Sequence, residues 1–154
     1  MIFQIIFGGA LLSLSALSHV LTLVLTVILI QALGRRLPDP RLMRHSAILI
    51  AVAVGTIVAG HTVVVWVWAL TLQLAGALPT LEEAVYFTLV TYTTLGYGDL
   101  ILGPDFRVFG AMAAVTGLLN FGLSTAFLVA LLAQLFSDPT TLGGKVGLST
   151  LRRR

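Results

Sequence analysis

The sequence predicts an all-α polytopic membrane protein with three transmembrane helices and one shorter re-entrant helix. Three observations carry that reading. The 154-residue chain is 58% hydrophobic and only 10% charged, against roughly 25% charged residues in soluble domains. Its mean hydropathy of +1.04 demands more apolar cover than one small core provides, so lipid must supply the rest. No Asp, Glu, Lys or Arg falls within 1–34, 47–81 or 108–137, and each stretch exceeds the ~20 residues that cross about 30 Å of hydrocarbon as a helix.

A fourth uncharged stretch, 84–98, would extend only about 22 Å as a helix at roughly 1.5 Å per residue. It is too short to span and must re-enter. Residues 1–34 lack a basic leading region and run well past a signal peptide's apolar core, so they are read as a retained N-terminal transmembrane helix. Arg35, Arg36, Arg41 and Arg44 make 35–46 a basic linker, and Lys145, Arg152, Arg153 and Arg154 make 137–154 a basic tail. The positive-inside bias places both in the cytoplasm, with the N-terminus outside, in a plasma or inner cell membrane. The same four linker arginines are expected to meet anionic lipid headgroups. Pro38 and Pro40 interrupt them outside the apolar spans, which argues against a voltage sensor.

The charged residues left for the opposite face are Arg107, Glu82, Glu83, Asp99 and Asp105. Thr80 and Glu83 have the spacing of a capping box, so a short helix should start there. Its acidic first turn suits the positive end of the helix dipole, and its carbonyl end, pointing inward, favours a cation. That helix runs into Thr91-Tyr92-Thr93-Thr94-Leu95-Gly96-Tyr97-Gly98-Asp99. Glycines two apart let alternate residues take backbone angles closed to side-chain-bearing residues, which can turn successive carbonyls to one side. Irregular backbone at membrane depth is tolerated only where protein buries it or where it lines a watery path.

Thr93 to Asp99 resembles the filter loop of the potassium channel family, with Leu95 where the commonest form has Val. The resemblance implies a pore domain over 47–136, with an outer helix at about 47–75, a pore helix at about 81–93, a filter at 94–99 and an inner helix at about 107–136. Carbonyls of Thr94, Leu95, Gly96 and Tyr97, with the Thr94 hydroxyl, would hold the permeant K⁺ ion, supported by Thr93, Gly98 and Asp99. It implies a homotetramer, and the chain has no internal repeat, so copies of the loop must come from separate chains. Family members carry a Trp where this chain has Phe87, which cannot donate a hydrogen bond, so Asp99 is expected to lack that partner.

On the inner helix, Gly117 and Gly122 match hinge glycines, although small residues serve close helix packing as readily. The overlay turns Leu118, Phe121, Thr125 and Val129 toward the cavity, while helical spacing groups Gly117, Asn120 and Ser124 on one stripe. The two differ by one residue's rotation, and the overlay is favoured, with Asn120 and Ser124 bonding to neighbouring helices. His61, in the middle of a span, is either a pH-sensitive group or a neutral imidazole bonded to a neighbouring helix. No catalytic motif or organic-cofactor signature appears, so no enzyme is expected. The expected function is passive K⁺-selective conduction. The alternatives are a weakly selective cation channel and an ion transporter subunit, the latter disfavoured by the missing repeat.

Overall fold

The computed structural model describes residues 2–36 and 43–136. Arg41, Lys145 and Arg152 to Arg154 lie outside the described residues, as does the 137–154 tail. Four helices follow in order: α1 (Ile2–Gly34), α2 (Met43–Leu74), α3 (Leu81–Tyr92) and α4 (Arg107–Phe136). Among the described residues there is no strand, and α1, α2 and α4 are each long and apolar enough to cross a membrane. The chain is an all-helical polytopic membrane protein.

The contacts fix the helix directions. Phe7 stacks on Phe109 at 5.7 Å and His19 bonds Ser124, so α1 and α4 run parallel. Thr26 of α1 meets Thr56 of α2 at 2.8 Å between hydroxyls, while His61 of α2 stacks on Phe121 of α4, so α2 runs the other way. Arg35, Arg36 and Arg44 therefore share one end of the bundle, and Glu82, Glu83, Asp99 and Asp105 cluster around the loops at the other. α1 packs on α2 and α4, whereas α3 is held between α2 and α4 on their other side.

The core lies where α3 meets the C-terminal half of α2 and the N-terminal half of α4. Val64, Trp68, Ala69 and Leu72 of α2 are buried against Ala84 and Tyr92 of α3 and Phe109 and Ala113 of α4, closed by Leu78 and Leu102 from the loops. Trp68 and Phe109 rings stand 5.1 Å apart. Much of α1 stays exposed, including Leu14, Leu17, Leu21 and Val24, a surface that hydrocarbon can solvate.

α3 begins as its spacing predicts. Thr80 is extended (φ −122°, ψ 154°) and its hydroxyl oxygen accepts from the Glu83 N–H at 3.2 Å. Glu83 Oε2 accepts in return from the Thr80 N–H at 3.2 Å and its hydroxyl at 2.9 Å. That reciprocal cap fixes where the helix starts, and with 12 residues it ends after about 18 Å, well within a bilayer.

Candidate functional site

The loop after α3 is built on that helix's carbonyl end. Thr93 donates its N–H to Leu89 at 3.0 Å, and Thr94 donates to Thr91 at 2.9 Å. Both the Leu95 and Gly96 amides then donate to one acceptor, the Val90 carbonyl, at 2.9 and 3.2 Å. These bonds hold the chain close to the helix axis while turning it out of helical geometry.

The backbone then alternates. φ is +59° at Thr94, +56° at Gly96 and +78° at Gly98, and Leu95 and Tyr97 between them stay out of the left-handed region. Left-handed geometry costs a threonine about 1–2 kcal/mol, and the sequence offered no sign that Thr94 would adopt it. At Gly96 and Gly98 the absence of Cβ removes that cost. Alternating handedness allows consecutive peptide units to aim their carbonyls to one side, where an ordinary strand would alternate them. Among the described residues, the carbonyls of Thr94, Leu95, Gly96 and Tyr97 accept no hydrogen bond. Residues 93–99 are all exposed in the single chain, Tyr97 at 67% and Leu95 at 55%.

Asp99 has a partner that the sequence reading missed. The Tyr86 hydroxyl donates to Asp99 Oδ2 at 2.6 Å, one residue before the Phe87 position considered above. Phe87 instead packs beside Gly110 and Leu102. The Tyr86 bond holds the Asp99 carboxyl below its ordinary value by stabilising the carboxylate. A signal was present, since Tyr86 is the phenol nearest the pore-helix position that lacked a donor.

Behind the loop, α4 buries one stripe and exposes another. Gly117, Asn120 and Ser124 are buried, Asn120 completely. Leu118, Phe121, Thr125 and Val129 are exposed on its free face, although Phe121 also stacks on His61 at 4.5 Å. Gly117 sits against the last residue of α3, where an added Cβ would overlap the Tyr92 carbonyl oxygen, while the space around Gly122 is open. His61 Nδ1 lies 2.8 Å from the Tyr92 hydroxyl and its Nε2 lies 3.1 Å from Ser124 Oγ. His19 of α1 joins the same group, with Nε2 2.7 Å from Ser124 Oγ and its ring 4.5 Å from that of His61.

This arrangement has the parts of a pore-lining module: a short capped helix, a loop with free carbonyls and two flanking spans. The family described as "Ion channel" matches residues 52–134, more than half of the chain. The chain belongs to this family of ion channels, and α1 lies outside the match. It is also similar to potassium voltage-gated channel protein shk-1 of Caenorhabditis elegans, 42% identical over 52 residues, which are 33% of this chain and 10% of that protein. The chain thus spans about a tenth of that relative's length. No solved structure matches the chain. Family membership places it among the ion channels of membranes.

Proposed function

We propose that the chain is one subunit of a homotetrameric channel that conducts K⁺ selectively and passively. The observation that carries the reading is the alternating backbone of Thr94 to Gly98, in which the Leu95 and Gly96 amides are tied to the Val90 carbonyl and the Thr94 amide to that of Thr91. With the Thr94, Leu95 and Gly96 N–H groups occupied and the carbonyls of Thr94 to Tyr97 free, the inner part of the loop presents mainly oxygen ligands. Four loops around an axis offer successive rings of oxygens from Thr94, Leu95, Gly96 and Tyr97, with the Thr94 hydroxyl at the inner end, to replace the water lost by an entering ion. The carbonyl end of α3 adds partial negative charge at the same place. Thr93, Gly98 and Asp99 support the loop, Asp99 through Tyr86.

In this reading the free face of α4, with Leu118, Phe121, Thr125 and Val129, lines an apolar cavity below the loop. Gly117 and Gly122 are the positions about which α4 bends, Gly117 also serving as a packing contact. The end carrying Arg35, Arg36, Arg41 and Arg44 is cytoplasmic and meets anionic lipid. Conduction needs no catalytic group, and K⁺ is the transported ion.

Reconstitution of the purified chain in planar bilayers tests the proposal. Unitary K⁺ currents are expected. A pore that passes K⁺ and Na⁺ equally would indicate a weakly selective cation channel, and slow saturable exchange without unitary currents would indicate a transporter.

A further inference from the structure

Where the helices meet behind the loop, counting protons fixes the hydrogen-bond directions. Ser124 has one hydroxyl proton, and its Oγ lies 2.8 Å from the Asn120 carbonyl as well as 2.7 and 3.1 Å from the Nε2 atoms of His19 and His61. The carbonyl can only accept, so the hydroxyl donates to it and both imidazoles donate Nε2–H to Oγ. A neutral imidazole protonated at Nε2 is bare at Nδ1. His61 Nδ1 therefore accepts from the Tyr92 hydroxyl at 2.8 Å, and the Tyr92 oxygen accepts from Asn120 Nδ2 at 3.2 Å. Donation runs from Asn120 to Tyr92 to His61 to Ser124.

Within this cluster two buried acceptors, His19 Nδ1 and Asn120 Oδ1, have no partner among the described residues. The second gives the chain of bonds an alternative direction. A proton added to His61 goes to Nδ1 and turns it into a donor facing the Tyr92 oxygen. The Tyr92 hydroxyl must then donate elsewhere, and Asn120 Oδ1 can take it once the amide turns over. A proton on His19 instead would create a wholly buried N–H at Nδ1 with nothing to receive it. The groups facing His61 are His19 from α1, Tyr92 from α3, and Phe121 and Ser124 from α4, with Asn120 behind the Tyr92 hydroxyl. Among the described residues no Asp, Glu, Lys or Arg joins the cluster. The two imidazoles stand 4.5 Å apart, so a first proton opposes a second.

We infer that His61 is a proton-operated positioning residue whose protonation reverses the Asn120–Tyr92–His61 relay and lowers K⁺ flux. Tyr92 ends α3, two residues before Thr94, and its carbonyl packs on Gly117 of α4. Reversal turns the Asn120 side chain on α4. It also brings a positive charge to the hydroxyl of Tyr92, the last residue of α3, which opposes the partial negative charge of that helix's carbonyl end. The effect on flux rests on the channel reading, whereas the reversal of the relay does not.

The test uses the full chain in phosphatidylcholine–phosphatidylglycerol liposomes, measuring K⁺ efflux and imidazole ¹⁵N spectra from about pH 8 to about pH 3. At high pH, His61 should show the Nε2–H tautomer. On acidification the efflux should fall on the order of five- to tenfold, the factor of an equilibrium shift of about 1 kcal/mol, in step with His61 protonation. His61→Gln offers an oxygen to Tyr92 and an amide to Ser124 but takes no proton, so its efflux should persist and stay flat with pH. Tyr92→Phe should leave His61 titrating while the acid-induced fall in efflux shrinks, since the relay is cut and only the charge effect remains. An Nδ1–H tautomer at high pH, or an undiminished acid response in His61→Gln, would overturn the inference. Absence of K⁺ efflux at every pH would overturn the channel reading and the effect on flux, with the ¹⁵N spectra still deciding the relay.

Discussion

Gly117 is where α4 crosses the end of α3, and a methyl group there has nowhere to go. A Cβ at this position would overlap the Tyr92 carbonyl oxygen, approach its carbonyl carbon at 2.7 Å and its ring Cγ at 3.0 Å. Two of those atoms are backbone, so no rotamer change relieves the clash. Either α4 moves off α3 or the last turn of α3 deforms. Overpacking of this kind costs about 1–3 kcal/mol, and the backbone contact argues for the upper part of that range. Gly122→Ala is the internal control, since nothing lies within 4 Å of its Cβ and replacing a mid-helix glycine should be neutral or stabilising by up to about 1 kcal/mol. Equilibrium unfolding of both variants in one detergent–lipid mixture gives the two values. A pure hinge role predicts changed opening with unchanged stability at both positions. Equal stability of Gly117→Ala, Gly122→Ala and the parent would refute the packing argument.

Three further outcomes follow from the same geometry. Tyr86→Phe removes the donor that stabilises the Asp99 carboxylate, so the Asp99 carboxyl should titrate at higher pH by ¹³C NMR. Because the Asp99 value is depressed, the Tyr86 contact is fully present above the ordinary carboxylate value of about 3.9 and is lost as pH falls through the lowered one. Gly96→Ala puts a Cβ at φ +56°, which costs about 1 kcal/mol or more in each loop, and single-channel recording should show lost conduction with the helices intact by circular dichroism. Thermal stability should be lower in purely zwitterionic bilayers than with anionic lipid at low salt. Neutralising Arg35, Arg36, Arg41 and Arg44 should abolish that difference, as should high salt, which shortens screening to a few ångströms.

How much of this was legible in the sequence depends on the range of each interaction. The spans are written in charge-free stretches, and Thr80 and Glu83, three residues apart, announce the start of α3. The glycine spacing of the loop pointed to unusual backbone at Gly96 and Gly98, because the requirement for φ > 0 is local. It gave no hint of Thr94, whose conformation is imposed by bonds to Thr91 and by the amides that converge on Val90. The Asp99 partner was missed because contact depends on how far the loop folds back along α3. Which stripe of α4 is buried was open by one residue's rotation, since an apolar helix in lipid carries a weak amphipathic signal. The cluster of His19, His61, Tyr92, Asn120 and Ser124 joins residues 28 to 105 positions apart, and no pattern within a single helix encodes such a meeting.

The most direct test of the central claim is the reversal potential of the purified chain in a planar bilayer with K⁺ on one side and Na⁺ on the other. If the alternating backbone of Thr94 to Gly98 presents dehydrating oxygens that favour K⁺, current through the unmodified channel reverses near the K⁺ equilibrium potential. In that case Tyr97→Asp, which alters the outer part of the loop, should move the reversal toward zero. Stable open currents from the unmodified channel that reverse near zero would contradict the claim.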